Sequence, residues 1–108
     1  MSDEDRVVWK IALDVAEPIF EKQLPVFAVP LCVTMVRGVP VAYFLARPDN
    51  PSYARRFQIA LTGRPLVDPN ADWKYVGTWV KPGLFGESLV GHLFLDDRLG
   101  EPGGPPAP

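Results

Sequence analysis

The chain has 108 residues, 47% of them hydrophobic and 22% charged, which is an ordinary composition for one globular domain. Its net charge of −2 offers no basic surface for phosphates and argues against nucleic acid as a partner. The single cysteine, Cys32, excludes an internal disulfide and any multi-cysteine metal site.

The sequence gives no sign of membrane insertion or export. The longest apolar stretch, residues 24–36, is interrupted by Pro25 and Pro30 and is too short to span a bilayer. The first six residues are acidic, whereas a secretory signal opens with positive charge. These features favour a cytoplasmic protein.

The first two predicted elements are β-strands. Apolar and polar residues alternate with a period of two over residues 7–13, which is the pattern of a half-buried strand. A shorter strand is predicted at residues 19–24, between Pro18 and Pro25. Because proline cannot donate a ladder hydrogen bond, this strand is expected at a sheet edge.

The clearest hairpin in the chain joins residues 27–36 to residues 40–47. Gly38 supplies the positive φ that a tight turn between them needs. Residues 27–36 are mostly apolar on both faces, which predicts a strand inside the domain or at an interface. Cys32 lies in the middle of this strand, so we expect an inert, buried thiol.

The second half of the chain alternates loops and strands. Turn-forming residues predict loops at 48–54 and 63–72. Strands are expected at 55–62, with a polar outer face, and at 73–80 and 89–95. The aromatic residues of the 73–80 strand, Trp73, Tyr75 and Trp79, share one face by strict alternation.

The predicted fold is all-β. Six to seven short, mostly antiparallel strands with regular turn signals indicate a single small β-sandwich or open barrel over residues 1–99. No window of the chain carries a convincing helical stripe. Residues 100–108 are rich in proline and glycine and predict a flexible, disordered tail.

No catalytic residue, metal site or cofactor is predicted. His92 lies within an apolar strand, where a lone histidine is typically packed or partly exposed rather than catalytic. Asp96 and Asp97 follow that strand and, with Arg98, resemble a solvated strand exit. Consecutive strand residues point to opposite faces, so the two carboxylates are not expected to share a site.

Four side chains are candidates for ligand binding. Arg55, Arg56 and Arg64 border the two long loops and could meet an anion there. Trp73 follows the second loop and could stack a flat ligand at the rim of the sheet. The alternative interpretation is solvated charge on a polar strand face and an aromatic residue packed in the core.

Several short motifs follow one another in a characteristic order, at residues 8–13, 24–25, 38–40, 47–49, 56–59, 62–63, 75–78 and 92–94. In this order they resemble a family of phage and bacterial proteins known only as a domain of unknown function. The resemblance covers about residues 7–95. The second loop and the Pro/Gly tail depart from the usual pattern of the family. The resemblance implies a phage-associated, all-β accessory protein and brings no catalytic residues.

The leading functional hypothesis is a non-enzymatic binding or assembly module, homo-oligomeric and encoded by a phage or prophage. Its partner would be another copy, a phage protein or a host protein, in the host cytoplasm or in the virion. The alternatives are a virion structural protein and a host-defence inhibitor that binds a host protein or sequesters a small nucleotide signal. An enzyme would need Cys32 or His92 in an open cleft.

Overall fold

The computed structural model describes residues 6–98, which form seven β-strands and no helix. Every strand predicted from the two-residue alternation is present, with bounds within three residues of those expected. The predicted tail at 100–108, and residues 1–5 and 99 of the predicted domain, lie outside the described residues. The strands are β1 (Val7–Ala12), β2 (Ile19–Pro25), β3 (Val29–Val36), β4 (Val39–Ala46), β5 (Ser52–Leu61), β6 (Trp73–Pro82) and β7 (Ser88–Asp96).

The strands form two antiparallel sheets. Sheet A has the order β1-β4-β3, and sheet B has the order β2-β5-β7-β6. Within residues 6–98 the sheets do not close into a barrel, so the all-β prediction is confirmed with a sandwich-like arrangement. The proline-flanked strand β2 lies at an edge of sheet B, as the prolines predict. No helix among the described residues is long and apolar enough to cross a membrane.

The core lies between the inner faces of the two sheets. Phe44 of sheet A meets Phe57 of sheet B edge to face, with ring centroids 6.1 Å apart, and both are fully buried. Burying each such side chain stabilises the fold by about 1.5–3 kcal/mol. The other buried residues of this core are Ile11, Leu13, Leu24, Ala42, Ile59, Val76, Trp79, Leu93 and Leu95.

A β-bulge in β6 separates the aromatic residues that strict alternation places on one face. The register of β6 against β7 shifts between Tyr75 and Gly77. An extra residue in one strand reverses the facing of every residue beyond it. Trp79 therefore points into the core, whereas Tyr75 is exposed and Trp73 is half-buried on the outer face. The prediction of one shared aromatic face was wrong for this reason.

Strand β3 is an edge strand, so of its two predicted places, inside the domain or at an interface, the first was wrong. Its outer-facing residues, among them Val29 and Val36, are exposed. The apolar character of both strand faces does not reflect burial within the monomer, because no described segment covers the outer face of sheet A. Cys32 is exposed there, which corrects the expectation of a buried thiol.

Candidate functional site

Of the four side chains that the sequence predicts for binding, the structure brings only two together. Arg56 and Trp73 come together on the outer face of sheet B, with the guanidinium carbon 5.2 Å from the ring centroid. Arg55, the neighbouring residue on β5, points to the opposite face and is buried. Arg64 lies apart from all three on the exposed loop at 63–72. Binding by these side chains stays a prediction.

Carboxylates surround Arg56 at the end of sheet B. Its Nη2 atom lies 2.6 Å from Asp68 Oδ2 and 3.3 Å from Asp96 Oδ2. Arg98 Nη2 reaches the same two oxygens, at 3.1 Å and 2.7 Å. Hydrogen bonds from Arg98 hold the pKa of Asp96 well below its usual range, and those from Arg56 lower the pKa of Asp68.

Asp96 is therefore buried in a charged cluster, which corrects the expectation of a solvated strand exit. Its Oδ1 atom also accepts hydrogen bonds from the backbone N–H groups of Asp72 and Arg98, each at 3.1 Å. Asp97 points the other way, to Arg55 Nη2 at 3.3 Å, and more than half of its side chain is exposed. The two carboxylates do not share a site, as the alternation of strand residues predicts.

The cluster is balanced in charge, and this balance limits what it can bind. Two arginines, at positions 56 and 98, face two aspartates, at positions 68 and 96. Arg55 pairs separately with Asp97. Guanidinium donors that already meet carboxylates are not available to a second anion without breaking those pairs. The cluster fastens the 63–72 loop to sheet B at the end of β7.

Neutral hydrogen bonds fasten the same loop over the outer face of β5. Buried Gln58 accepts from the Val67 N–H at 2.8 Å and donates to the Pro65 carbonyl at 3.2 Å. Trp73 Nε1 donates to the Val67 carbonyl at 2.8 Å. The outer face of β5 is polar, as predicted, but the loop covers part of it.

Arg64 lines a cavity and, unlike Arg55 and Arg56, pairs with no carboxylate among the described residues. It lines a cavity of about 330 Å³ whose other walls are mostly apolar and include Ile59, Leu61 and Val67. Its side chain has no hydrogen-bond or ion-pair partner among residues 6–98. A single cation beside an apolar cavity can contact one anionic group of a small ligand.

His92 and Cys32 do not form a catalytic pair. His92 bridges two hydroxyls on the outer face of sheet B, with Nε2 3.0 Å from Thr62 Oγ1 and Nδ1 2.9 Å from Thr78 Oγ1. Cys32 lies on the outer face of sheet A, on the far side of the core. Within residues 6–98 no group of three or more potential metal ligands comes together.

The outer face of sheet A is a mostly apolar surface that no described segment covers. Of its eleven side chains only Lys10 is charged, and Val8 is 61% and Val29 50% exposed. Sequence analysis found only the β3 part of this surface; the apolar residues on both faces of β4 were the missed signal. The eleven residues are Val8, Lys10, Ala12, Val29, Cys32, Thr34, Val36, Val39, Val41, Tyr43 and Leu45.

Large apolar side chains also protrude at the two ends of the molecule. Leu84 and Phe85, in the turn between β6 and β7, are 94% and 93% exposed. Phe27, in the turn between β2 and β3, is 84% exposed and has a positive φ of 66°. The sequence analysis placed Phe27 at the start of the 27–36 strand, which was wrong, and left Leu84 and Phe85 uninterpreted. The missed signal was Leu-Phe between Gly83 and Gly86, where turn residues are usually polar.

The fold and these surfaces define a two-sheet all-β domain. A charge-balanced cluster of ion pairs holds its 63–72 loop, and the outer face of sheet A is apolar and uncovered by any described segment. The chain belongs to the family described as "Domain of unknown function (DUF7352)", whose model matches residues 4–103. This membership confirms the resemblance to a family of unknown function. No curated protein and no solved structure matches the chain.

Proposed function

We propose that this protein is a non-enzymatic binding and assembly module that packs the outer face of sheet A against another protein chain. The observation that carries the proposal is the apolar, uncovered character of that face. Exposed apolar patches rimmed by polar groups mark interaction sites in soluble proteins. The simplest partner is a second copy of this chain, because homo-oligomers are the commonest assemblies.

The contrast between the two outer faces supports this proposal. The outer face of sheet B carries Arg56, Gln58 and His92, each with hydrogen-bond partners on the same face. Among its strand residues, the outer face of sheet A has four exposed valines, at positions 8, 29, 36 and 39, and one charge, Lys10. The outer face of sheet B is therefore polar, as is usual for a surface in contact with water. The outer face of sheet A has few charged residues, as is usual at the centre of a protein–protein interface.

The biological setting we propose is a phage or prophage, with the protein acting in the host cytoplasm or on the virion. This part rests on the short motifs in residues 7–95, which resemble phage and bacterial proteins. An accessory protein of this kind would work by packing on a phage protein, on a host protein or on itself.

A matched pair of charge substitutions tests the proposal. Val8→Glu puts a carboxylate on the outer face of sheet A, and Val80→Glu puts one on an outward-facing β6 residue that is 52% exposed. Light scattering across a wide concentration range should give an oligomeric mass for the wild type and for Val80→Glu, and a lower mass for Val8→Glu. A monomeric wild type at every concentration would overturn the proposal.

A second candidate function is the sequestration of a small anionic ligand, such as a nucleotide signal. The observation that favours it is Arg64 beside its apolar cavity of about 330 Å³. The carboxylates that pair with Arg55 and Arg56 count against it, because a nucleotide phosphate would have to displace them.

A further inference from the structure

We propose that copies of this chain join head to tail, with the β6–β7 turn of one copy seated in a basic, apolar cavity at the opposite end of the next. We call residues 83–86 the hairpin tip and the cavity beside Phe27 the socket. The socket lies at one end of the outer face of sheet A, so the inference rests on the proposed function. It identifies the hairpin tip of a second copy as the group that binds at that end.

The hairpin tip is an apolar projection held in a fixed shape. Gly83 N–H donates to the Glu87 carbonyl at 2.6 Å, which closes the turn. The Glu87 carboxylate folds over Gly83 and accepts the Phe85 N–H at 3.0 Å. Gly86 has a φ of 86°, a conformation that glycine adopts without strain. The turn therefore presents Leu84 and Phe85 to solvent on a structured frame, which lowers the entropy cost of binding.

The socket is a cavity of about 480 Å³, within the size range of pockets that bury small ligands. Phe27, Val29 and Leu45 provide its apolar lining, and two arginines provide its charge. Arg47 lines this cavity, and its Nη1 atom is buried without a hydrogen-bond partner among residues 6–98. A buried donor without a partner costs free energy that an incoming acceptor recovers. The lining is Arg6, Phe27, Val29, Leu45, Arg47 and Asn50.

The two features lie at opposite ends of the molecule. The socket adjoins the start of β5, where Val26 N–H donates to the Pro51 carbonyl. The hairpin tip lies beyond the other end of β5, where Leu61 pairs with Gly91 and β7 continues back to Ser88. The ten residues of β5 alone span about 30 Å. A hairpin tip therefore cannot reach the socket of its own chain, and only a second copy can supply it.

Opposite charges face each other in this contact. Glu87, at the base of the hairpin tip, is negative, and the lining of the socket contains Arg47 and no carboxylate among residues 6–98. A second cavity of about 440 Å³ has a mixed charged lining, with Arg55, Lys74 and Asp97 in its wall. Carbonyl groups of the turn are further acceptors for Arg47.

Such a contact is heterologous, because two different surfaces of the chain meet. Repeating a heterologous contact closes a ring when the rotation between copies allows it, and otherwise builds an open filament. Rings and filaments both have a mass larger than that of a dimer. An isologous contact, in which the same surface of two copies meets face to face, gives only a dimer.

A charge exchange between Arg47 and Glu87 is the decisive experiment. Arg47→Glu alone sets like charges against each other at the contact, and Glu87→Lys alone does the same with the opposite sign. Each variant should sediment as smaller species than the wild type. An equimolar mixture should regain large assemblies, because every contact between unlike variants pairs a carboxylate with a cation. Lys81→Glu, on the same hairpin but outside the tip, is the control and should assemble like the wild type.

Removing the apolar side chains gives an independent measurement. The double variant Leu84→Ser/Phe85→Ser changes only exposed side chains, so its melting temperature should match the wild type. Its association constant should fall by about tenfold or more. An oligomeric wild type with no response to this double variant and no rescue in the charge-exchange mixture would overturn the head-to-tail contact and leave the proposed function standing. A wild type that stays monomeric would overturn both.

Discussion

Gly77 of β6 lies directly against Val33 of β3, and this contact sets the distance between the two sheets at one edge. A Cβ atom at position 77 would lie 2.6 Å from Val33 Cγ2 and 3.1 Å from the Val33 backbone nitrogen. The backbones can therefore approach only where residue 77 has no side chain. The bulge that reverses the facing of β6 occurs at the same place.

Gly77→Ala should lower the free energy of unfolding by about 1–3 kcal/mol, the usual cost of forcing an extra methyl group into a packed contact. Part of the obstacle is backbone, so Gly77→Ala/Val33→Ala should recover only part of the loss. Urea denaturation measures both variants. Gly38→Asn is the control, because position 38 has open space around it and asparagine tolerates its positive φ. Equal stability of Gly77→Ala and the wild type would contradict the contact.

Asp96 should make the protein sensitive to acid. Its pKa is lowered in the folded state, chiefly by hydrogen bonds from Arg98, whereas an aspartate in the unfolded chain has a pKa of about 3.9. A depressed folded pKa gives stabilisation that is complete above the unfolded pKa and is lost as the pH falls toward the folded one. Urea midpoints should therefore be level near neutral pH and decline below about pH 4.

Asp96→Asn should cost about 1–3 kcal/mol at neutral pH and flatten part of that decline, because an amide cannot titrate. Asp97→Asn is the matched control, since its carboxylate is mostly exposed and such surface pairs contribute about 0–1 kcal/mol. If Asp97→Asn lowered the free energy of unfolding as much as Asp96→Asn, the conclusion that Asp96 is the stabilising carboxylate would be wrong.

Gln58→Ala should release the 63–72 loop from sheet B while leaving the strands in place. The substitution removes the partner of the Val67 N–H and of the Pro65 carbonyl. Amide hydrogen exchange at Val67 should accelerate strongly, with little change at core amides of β7. Arg64→Ala, on the same loop but without a partner on the sheet, should leave exchange at Val67 unchanged. Unchanged exchange in Gln58→Ala would show that another contact holds the loop.

Strand positions could be predicted from sequence because two-residue alternation is a direct consequence of strand geometry. The bulge at Tyr75–Gly77 could not, since one extra residue leaves the local pattern intact and only the partner strand reveals it. The same limit applies to β3: its apolar faces were read correctly, but alternation does not say whether the covering layer belongs to the same chain.

The charged cluster was missed because its members are distant in sequence. Arg56 and Asp68 lie on opposite sides of a turn, and Asp96 joins them only through the pairing of β5 with β7. Arginines beside loops suggest an anion-binding site. In the structure, aspartates pair with Arg55 and Arg56, and these pairs could not be predicted from the sequence. The two apolar residues of the hairpin tip stand in the sequence between two predicted strands, but the sequence analysis did not interpret them.

Nucleotides should leave the protein unchanged if assembly is its function. Arg56 beside Trp73 already meets two carboxylates, so tryptophan fluorescence and the melting temperature should not respond to a panel of mono-, di- and cyclic nucleotides. A saturable shift that disappears in Arg64→Ala would favour sequestration instead. Trp73→Phe separates the signal of this ring from those of Trp9 and Trp79.

Cys32 should report whether a partner covers the outer face of sheet A. Its thiol is exposed and lies midway along the edge strand β3, three residues from Val29 at the socket. A partner that covers the whole face should slow labelling by a thiol reagent as the protein concentration rises, because a buried thiolate cannot attack. The association-deficient Val8→Glu should label at one rate at all concentrations. A contact confined to the socket should leave Cys32 reactive in an assembled wild type, so labelling and mass together distinguish full coverage of the face from docking at its end.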